Sequence, residues 1–552
     1  MKKHLFVLIF IVAFGFILRF YSLDTVPPSP SLDEVSIGWN AFSIASTGMD
    51  EYGSKFPLLL RAYDDWRPAF YVYFVVMSVL FVGLQTIAVR LPSVFMGTGN
   101  IVLIYFLVKS LLNSLSPKVH LTESQKVLFP LAAALALSIS PWSIYLSRLG
   151  HEVNLGFFLI LLGTYLFVKA TEKPLLLLGS SIVFALSLNS YQSEKLVTPI
   201  VVLGLAVAFG KHLITQWKTT IAAGIIGICI AVPIIAVSIS PEALTRLHGT
   251  SIQTSHPDIT KATEKQFLAR QKRDVLGIII NDRRLVFAAV SAKQYIEHFN
   301  PTWLFSGNRK EDHKAPFIGL FYPWEMVTIL LGFFVFVTKP QWRGVSTVVL
   351  LFICSGPLPA AITTGAPHAM RSYTMLIGLV IAEAMGIVFA LSFFERRKFL
   401  FLFIRIAFGM TVIISVSIFC FRYFKDFPVL HSSSFQHSLT LVLKQHVLMP
   451  HANKKRIIIS NENALYQSYM FYLFTASYDP SKYLKNGGTK SGGYKEEHSI
   501  DLLEFRAIRK TDILNPEIMY VGNIGDFQPN VSRGTIVTNV MDEPEILVVN
   551  EN

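Results

Sequence analysis

Apolar residues gather into twelve runs separated by polar turns: 5–20, 69–84, 94–112, 127–145, 155–168, 175–188, 196–209, 221–239, 324–337, 345–362, 373–394 and 399–421. Runs this apolar predict helices that cross a bilayer, several of them short of the ~20 residues that a full crossing takes. The first run follows Met1-Lys2-Lys3-His4 and ends on Arg19-Phe20-Tyr21, with no small-residue cleavage site, so it reads as an uncleaved span. After Pro27-Pro28-Ser29-Pro30, Asp33-Glu34 open a further helix over 35–46, expected to lie at the membrane interface with its amphipathic face down.

Basic turns at 395–398, 339–343, 211–218 and 169–173, with Lys109, Lys118 and Lys126, alternate as cytoplasmic loops. The N-terminus then lies inside, and 24–68, 148–153, 189–195, 241–323, 363–371 and everything after Arg422 lie outside. This leaves one apolar run too many, so 69–84 or a neighbour is expected to be re-entrant. The tail has short β-rich runs at 456–459, 518–521, 535–537 and 546–549, a predicted helix at 464–474 and a Gly-rich turn at 486–493. The expected architecture is an α-helical polytopic membrane body of about 11–13 spans (1–421), with outside loops at 24–68 and 241–323, and a small C-terminal exoplasmic α/β domain (422–552).

Composition sharpens this. The chain is 52% hydrophobic and only 15% charged, with mean hydropathy +0.48, which excludes a soluble enzyme and a single-span receptor. From Arg422 onward 14 Lys+Arg balance 14 Asp+Glu, so the net charge of +13 belongs to the body. There it faces lipid head groups or phosphates rather than nucleic acid. Cys229, Cys354 and Cys420 sit inside apolar runs and read as small buried hydrophobes, not as a disulfide or metal framework.

Ionisable groups in a polytopic chain are costly unless they meet water or each other. Here they collect in the outside loops: Asp33-Glu34, Asp64-Asp65-Trp66-Arg67-Pro68, Arg148 with Glu152, Tyr191 with Glu194-Lys195, and Pro367-His368-Ala369-Met370-Arg371. An acid at the start of a helix caps it or serves as a general base. His368 and Arg371, three apart at an expected helix start, are either a hydrated helix end or donors to a phosphate. Arg148 and Glu152, four apart, read alone as an exposed pair. The coincidence of such groups beside span ends on one side makes an interfacial active site available.

Asp33-Glu34 after the first span, Arg90-Leu91-Pro92-Ser93, Ser147-Arg148 with an acid four residues on, Tyr191-Gln192 with Pro199, and Pro367-His368-Ala369-Met370-Arg371 resemble the GT-C superfamily of membrane glycosyltransferases over about residues 1–421. The resemblance is to the branch of protein O-mannosyltransferases and the aminoarabinose lipid A transferase. It implies a polyprenyl-phosphate-sugar donor, an extracytoplasmic protein, lipid or glycan acceptor, and Asp33 as catalytic base with Glu34 beside it. It also implies His368, Arg371, Arg148, Lys195 and Tyr191 around the donor phosphate. A divalent metal, Mg or Mn, would fall to Glu152, where the superfamily usually carries Asp. His151 would be a metal ligand or, more simply, touch a head group. Arg270, Lys272, Arg273 or His298 in the basic loop 241–323 would reach phosphate or acceptor, unless that loop is simply solvated. The alternative is a transporter or flippase for a lipid-linked or anionic substrate, but no internal repeat is evident and Glu383 is the main charge within a span. A non-catalytic platform for the tail domain would have little use for so many spans.

Overall fold

The computed structural model describes residues 2–63, 65–115, 122–307, 311, 314–393, 398–448, 456–491, 493, 497–509, 514–527 and 534–550; Asp64, Lys118, basic-turn residues 395–397 and Gly492 lie outside them. Every apolar run is helical. The first forms α1 (Lys2–Phe20); α2 (Leu32–Thr47), a hairpin of β1 (Leu59–Ala62) and β2 (Asp65–Pro68), α3 (Phe70–Val82) and α4 (Thr86–Leu115) follow. Next come α5 (Glu123–Ile139) and α6 (Pro141–Ser147), bent by 56° where Pro141 interrupts the run. The chain continues through α7 (Val153–Lys169), α8 (Leu176–Ser187), α9 (Glu194–Ala208), the short α10 (Gly210–Thr215) and α11 (Trp217–Ser238). The long loop is itself helical: α12 (Pro241–Thr250), α13 (Ile252–Ser255), α14 (Pro257–Gln271), α15 (Val275–Ile280) and α16 (Arg283–Glu297). The body closes with α17 (Glu325–Thr338), α18 (Arg343–Ser355), α19 (Leu358–Ala361), α20 (Met375–Phe393) and α21 (Lys398–Phe421).

Among the described residues five helices are long and apolar enough to cross a membrane, six if the bent pair counts as one span, with five shorter apolar helices around them. α17 and α20 pack backbone to backbone: a Cβ on Gly332 or Gly386 would lie 1.8 Å from a carbonyl oxygen of the facing helix. Small residues at such a crossing let helices approach where lipid supplies no hydrophobic drive.

The run at 69–84 forms α3. Its second residue, Tyr71, donates its hydroxyl to the Val89 carbonyl near the start of α4 (2.8 Å), and its far end joins that same start through three residues. α3 has 13 residues, short of a full crossing at a rise of ~1.5 Å each, and it packs beside α4.

α21 continues through a π-helical turn into α22 (Phe427–Leu430), then α23 (His437–Val442) leads to a sheet domain. β3 (Arg456–Ile459), α24 (Ser468–Thr475), α25 (Pro480–Lys485), β4 (His498–Ile500), β5 (Leu503–Phe505), β6 (Ile518–Asn523), β7 (Gly534–Thr538) and β8 (Pro544–Val549) build it. The strand order is β4-β5-β3-β6-β8-β7, with β3 parallel to both of its neighbours. All four expected strands are present, and the expected helix forms as α24 behind a 3-10 turn at Asn463–Leu465.

α2 is buried on most sides, packed against α3, α4 and the tail domain. A Cβ on Gly38 would come within 2.5 Å of the Phe474 ring and 2.8 Å of Val89. Trp39 Nε1 donates to the Tyr478 carbonyl (3.2 Å), and Glu51 accepts from Asn40 (3.1 Å), Tyr469 (3.0 Å) and Thr489 (2.8 Å). Burial pushes the Glu51 carboxyl up to about 7, against the three donors. A carboxyl raised on folding stabilises fully below its unfolded value and loses that contribution as pH rises through the folded one. The thermal midpoint is therefore expected to fall from about pH 5 to about pH 8 by an increment that Glu51→Gln removes, as calorimetry would read it.

Candidate active site

Asp33 and Glu34 are adjacent in sequence and face different surroundings. Ser31 caps α2, accepting from the Glu34 N–H, while Glu34 Oε2 accepts from the Ser31 N–H, a capping box. The Glu34 carboxylate is 1% exposed and also accepts from Arg90 Nε (2.7 Å), Arg90 Nη2 (3.0 Å) and the Gly150 N–H (2.8 Å). Burial alone would raise its pKa, but the charge and hydrogen bonds of Arg90, with the Ser31 and Gly150 N–H groups, hold it below the ordinary carboxylate value. Expected beside the base, Glu34 is instead the clamp of the loop, and a substrate could meet it only by breaking these bonds. Arg90 completes the clamp on the carbonyls of Leu23, Pro27 and Ser29.

Asp33 is 46% exposed at its side chain. Its Oδ1 accepts from Arg67 Nη2 (2.8 Å), and His151 Nε2 lies 3.8 Å from Oδ2. The Val153 N–H donates to His151 Nδ1 (3.2 Å). Glu152 Oε2 is 3.5 Å from His151 Nδ1. Burial opposes the charge of Arg67, but the fields of Asp33, Glu152 and Asp65 outweigh it and raise its pKa. One Asp33 oxygen is held by the Arg67 guanidinium, which lies in the field of Glu152 as well, and no group of three His, Cys, Asp or Glu among the described residues is placed to hold an ion.

Tyr191, Lys195 and Arg371 line one cleft of about 300 Å³, with Gln192, Thr363 and, from α12, Leu244. Arg371 Nη1 donates to the Thr363 hydroxyl (2.8 Å) and the Thr364 carbonyl (2.7 Å), which aims the guanidinium from the turn at 363–371. Two contacts join this cationic cleft to Asp33. The His151 ring stands edge-on to Tyr191 at 5.7 Å, and Gln192 Nε2 donates to the carbonyl of Trp66, next to Arg67 (3.2 Å).

His368 and Arg371 do not share a helix face, because α20 begins only at Met375 and both lie in the turn before it. The His368 N–H donates to His298 Nε2 (3.2 Å), and the other ring nitrogen of His298 is 2.8 Å from the Gln294 carbonyl. His298 is thus a neutral ring bracing the turn rather than a cation on phosphate. Burial lowers its pKa against the Gln294 and Tyr295 carbonyls and the charges of Glu311 and Glu297. A histidine lowered on folding stabilises above its unfolded value near 6.5 and loses this as pH falls through the folded one. Amide protection at 366–372 is expected to fall below about pH 6.5 and to lose that pH dependence in His298→Asn.

Arg148 is also placed differently from its expected phosphate role. It is wholly buried, donates to the carbonyls of Leu18, Arg19, Ser22 and Val26, and lies over the rings of Tyr423 and Phe424. It joins α1, α6 and the end of the last long helix, and makes no ion pair with Glu152. Arg67 and Arg90 carry more of the site than their sequence context revealed. The signal for Arg90 was a cation inside an otherwise apolar helix, which is stable only when paired or hydrogen-bonded.

No family model and no curated protein matches the chain. Among solved structures, it is similar to the Archaeoglobus fulgidus oligosaccharyltransferase in complex with Zn and sulfate, with 12% identity over 85% of this chain and a TM-score of 0.47. The chain spans 61% of that protein's length. It is also similar to ArnT from Cupriavidus metallidurans bound to undecaprenyl phosphate (11% identity, 98% of this chain, 97% of that one, TM-score 0.43). The S. cerevisiae protein O-mannosyltransferase Pmt1-Pmt2 complex bound to the sugar donor shares 15% identity over 45% of this chain and 33% of that one, with a TM-score of 0.29.

Proposed function

We propose that the protein is a GT-C-type membrane glycosyltransferase that moves a sugar from a polyprenyl phosphate to an extracytoplasmic acceptor. The observation that carries this reading is the pairing of a half-exposed carboxylate, Asp33, with a cleft holding Lys195, Arg371 and Tyr191, joined through His151 and Gln192. Asp33 takes the proton of the acceptor hydroxyl or amide. The acceptor atom bonds to the anomeric carbon as the bond from that carbon to the phosphate oxygen breaks, with inversion. The electron pair leaves on the phosphate, where preorganised donors stabilise charge best in a dry site. Arg371 and Lys195 supply the cations and Tyr191 a hydroxyl. Glu34, Arg148 and His298 position these groups. In this reading the N-terminus is cytoplasmic, α3 does not cross, eleven spans remain, and residues 422–552 form an exoplasmic domain in the plasma membrane protein.

The test is reconstitution with a polyprenyl-phosphate hexose labelled in the sugar. The expected result is release of polyprenyl phosphate in step with a labelled acceptor, the mass increment on surface glycans or proteins identifying which. Label crossing sealed vesicles without a covalent product would instead make the protein a transporter. Arg371→Ala is expected to lower kcat by about 10²–10³, the usual loss of one preorganised anion donor. An unchanged kcat and donor KM would remove the cleft from donor binding.

A further inference from the structure

Loop 241–323 contains a surface that neither the proposed chemistry nor solvation accounts for. In α15, none of the six residues Val275–Ile280 is buried. Val275, Leu276, Ile279 and Ile280 are 67%, 70%, 51% and 66% exposed, and Phe267 and Leu268 on α14 add 61% and 51%. Contiguous exposed apolar groups of this size mark a binding surface. Cations bracket the tip: Lys265, Arg270, Lys272 and Arg273 precede it, and Arg283 and Arg284 follow. The intervening acids Asp274 and Asp282 are spent as helix caps, accepting from the N–H groups of Gly277 and of Arg284 and Leu285. The base of this projection is fixed to the membrane body: Tyr295 on α16 donates to the carbonyl of Cys354 at the end of α18 (3.0 Å), and Ser251 bridges to Thr363.

We propose that α14–α16 is a membrane-surface anchor whose α15 tip sinks into the acyl boundary of anionic phospholipid while the flanking arginines and lysines contact head-group phosphates. Charge decides the occupant. A protein face would have to be apolar and ringed by acids, whereas an anionic leaflet offers both chemistries everywhere, and shallow insertion of an apolar face flanked by cations is how such helices bind. The inference does not depend on sugar transfer. It has a consequence for the cleft, because α12, in the same loop, supplies one wall of it.

The experiment uses the full chain with Cys229, Cys354 and Cys420 changed to Ser, Leu276→Cys carrying an environment-sensitive nitrobenzoxadiazole label, and reconstitution into vesicles. With phosphatidylglycerol present, the label is expected to shift to the blue and to be quenched about twofold by lipid doxyl-labelled near the head group, more than by lipid labelled near the chain end. In pure phosphatidylcholine, or with Arg270, Lys272 and Arg273 changed to Gln, the quenching is expected to drop. Emission at the water value and no quenching in either lipid would overturn the proposal, as would a blue-shifted label that no lipid quencher reaches, the result expected of a protein partner or a second copy.

Discussion

An Asp33→Asn protein is expected to fold, bind its donor and transfer no sugar. The carboxylate is half exposed, and its contact with Arg67 Nη2 is one that an amide oxygen can still accept, so the folded state loses on the order of 1 kcal/mol. What disappears is the proton acceptor, and removing a general base costs about 10²–10⁴ in rate. Single-turnover transfer from a polyprenyl-phosphate sugar, measured beside the thermal midpoint, separates the two. Full kcat in purified Asp33→Asn would take the base role away from this residue. Glu34→Gln makes the contrast, because its carboxylate is tied to four donors, and its variant should lose stability rather than the chemical step alone.

Arg90→Met is expected to produce the largest loss of stability of any single change at the site. It strips a buried carboxylate of its counter-charge and leaves the carbonyls of Leu23, Pro27 and Ser29 without their donor. Breaking a buried pair from one side costs about 3–5 kcal/mol, since the remaining charge has no water to turn to. Glu34→Gln alone costs less, and combining it with Arg90→Met is expected to be less than additive, because the residues share one interaction. Midpoints of all four proteins in the same detergent give the cycle. A mild Arg90→Met, within about 1 kcal/mol of the parent, would show that the clamp does not hold the loop.

The helices were legible in the sequence because lipid allows no unpaired backbone, so each apolar run had to become a helix. α3 shows the limit. Hydropathy alone does not distinguish a helix that crosses from one that folds back, and the 13 residues of α3 are too few for length to decide it. The strands of the tail were legible from β-branched runs. Within the site, Asp33, Tyr191, Lys195 and Arg371 could be singled out because polar groups beside span ends are few. Their neighbour Glu34 could not be separated from Asp33, since a one-residue step on a helix turns the side chain by ~100°, and only tertiary packing says which side is solvent. Arg148 misled for a similar reason: its partners are backbone carbonyls, which any sequence supplies and none advertises. His298 lies 70 residues from His368, a pairing that no local pattern encodes.

The covering of α2 by the tail domain sets an order of events during synthesis. Trp39 and Glu51 emerge early, yet the groups that cover them, Tyr478, Tyr469 and Thr489, are made only after the last long apolar helix has been threaded into the membrane. Until then the helix bearing Asp33 lacks the contacts it makes with α24 and α25.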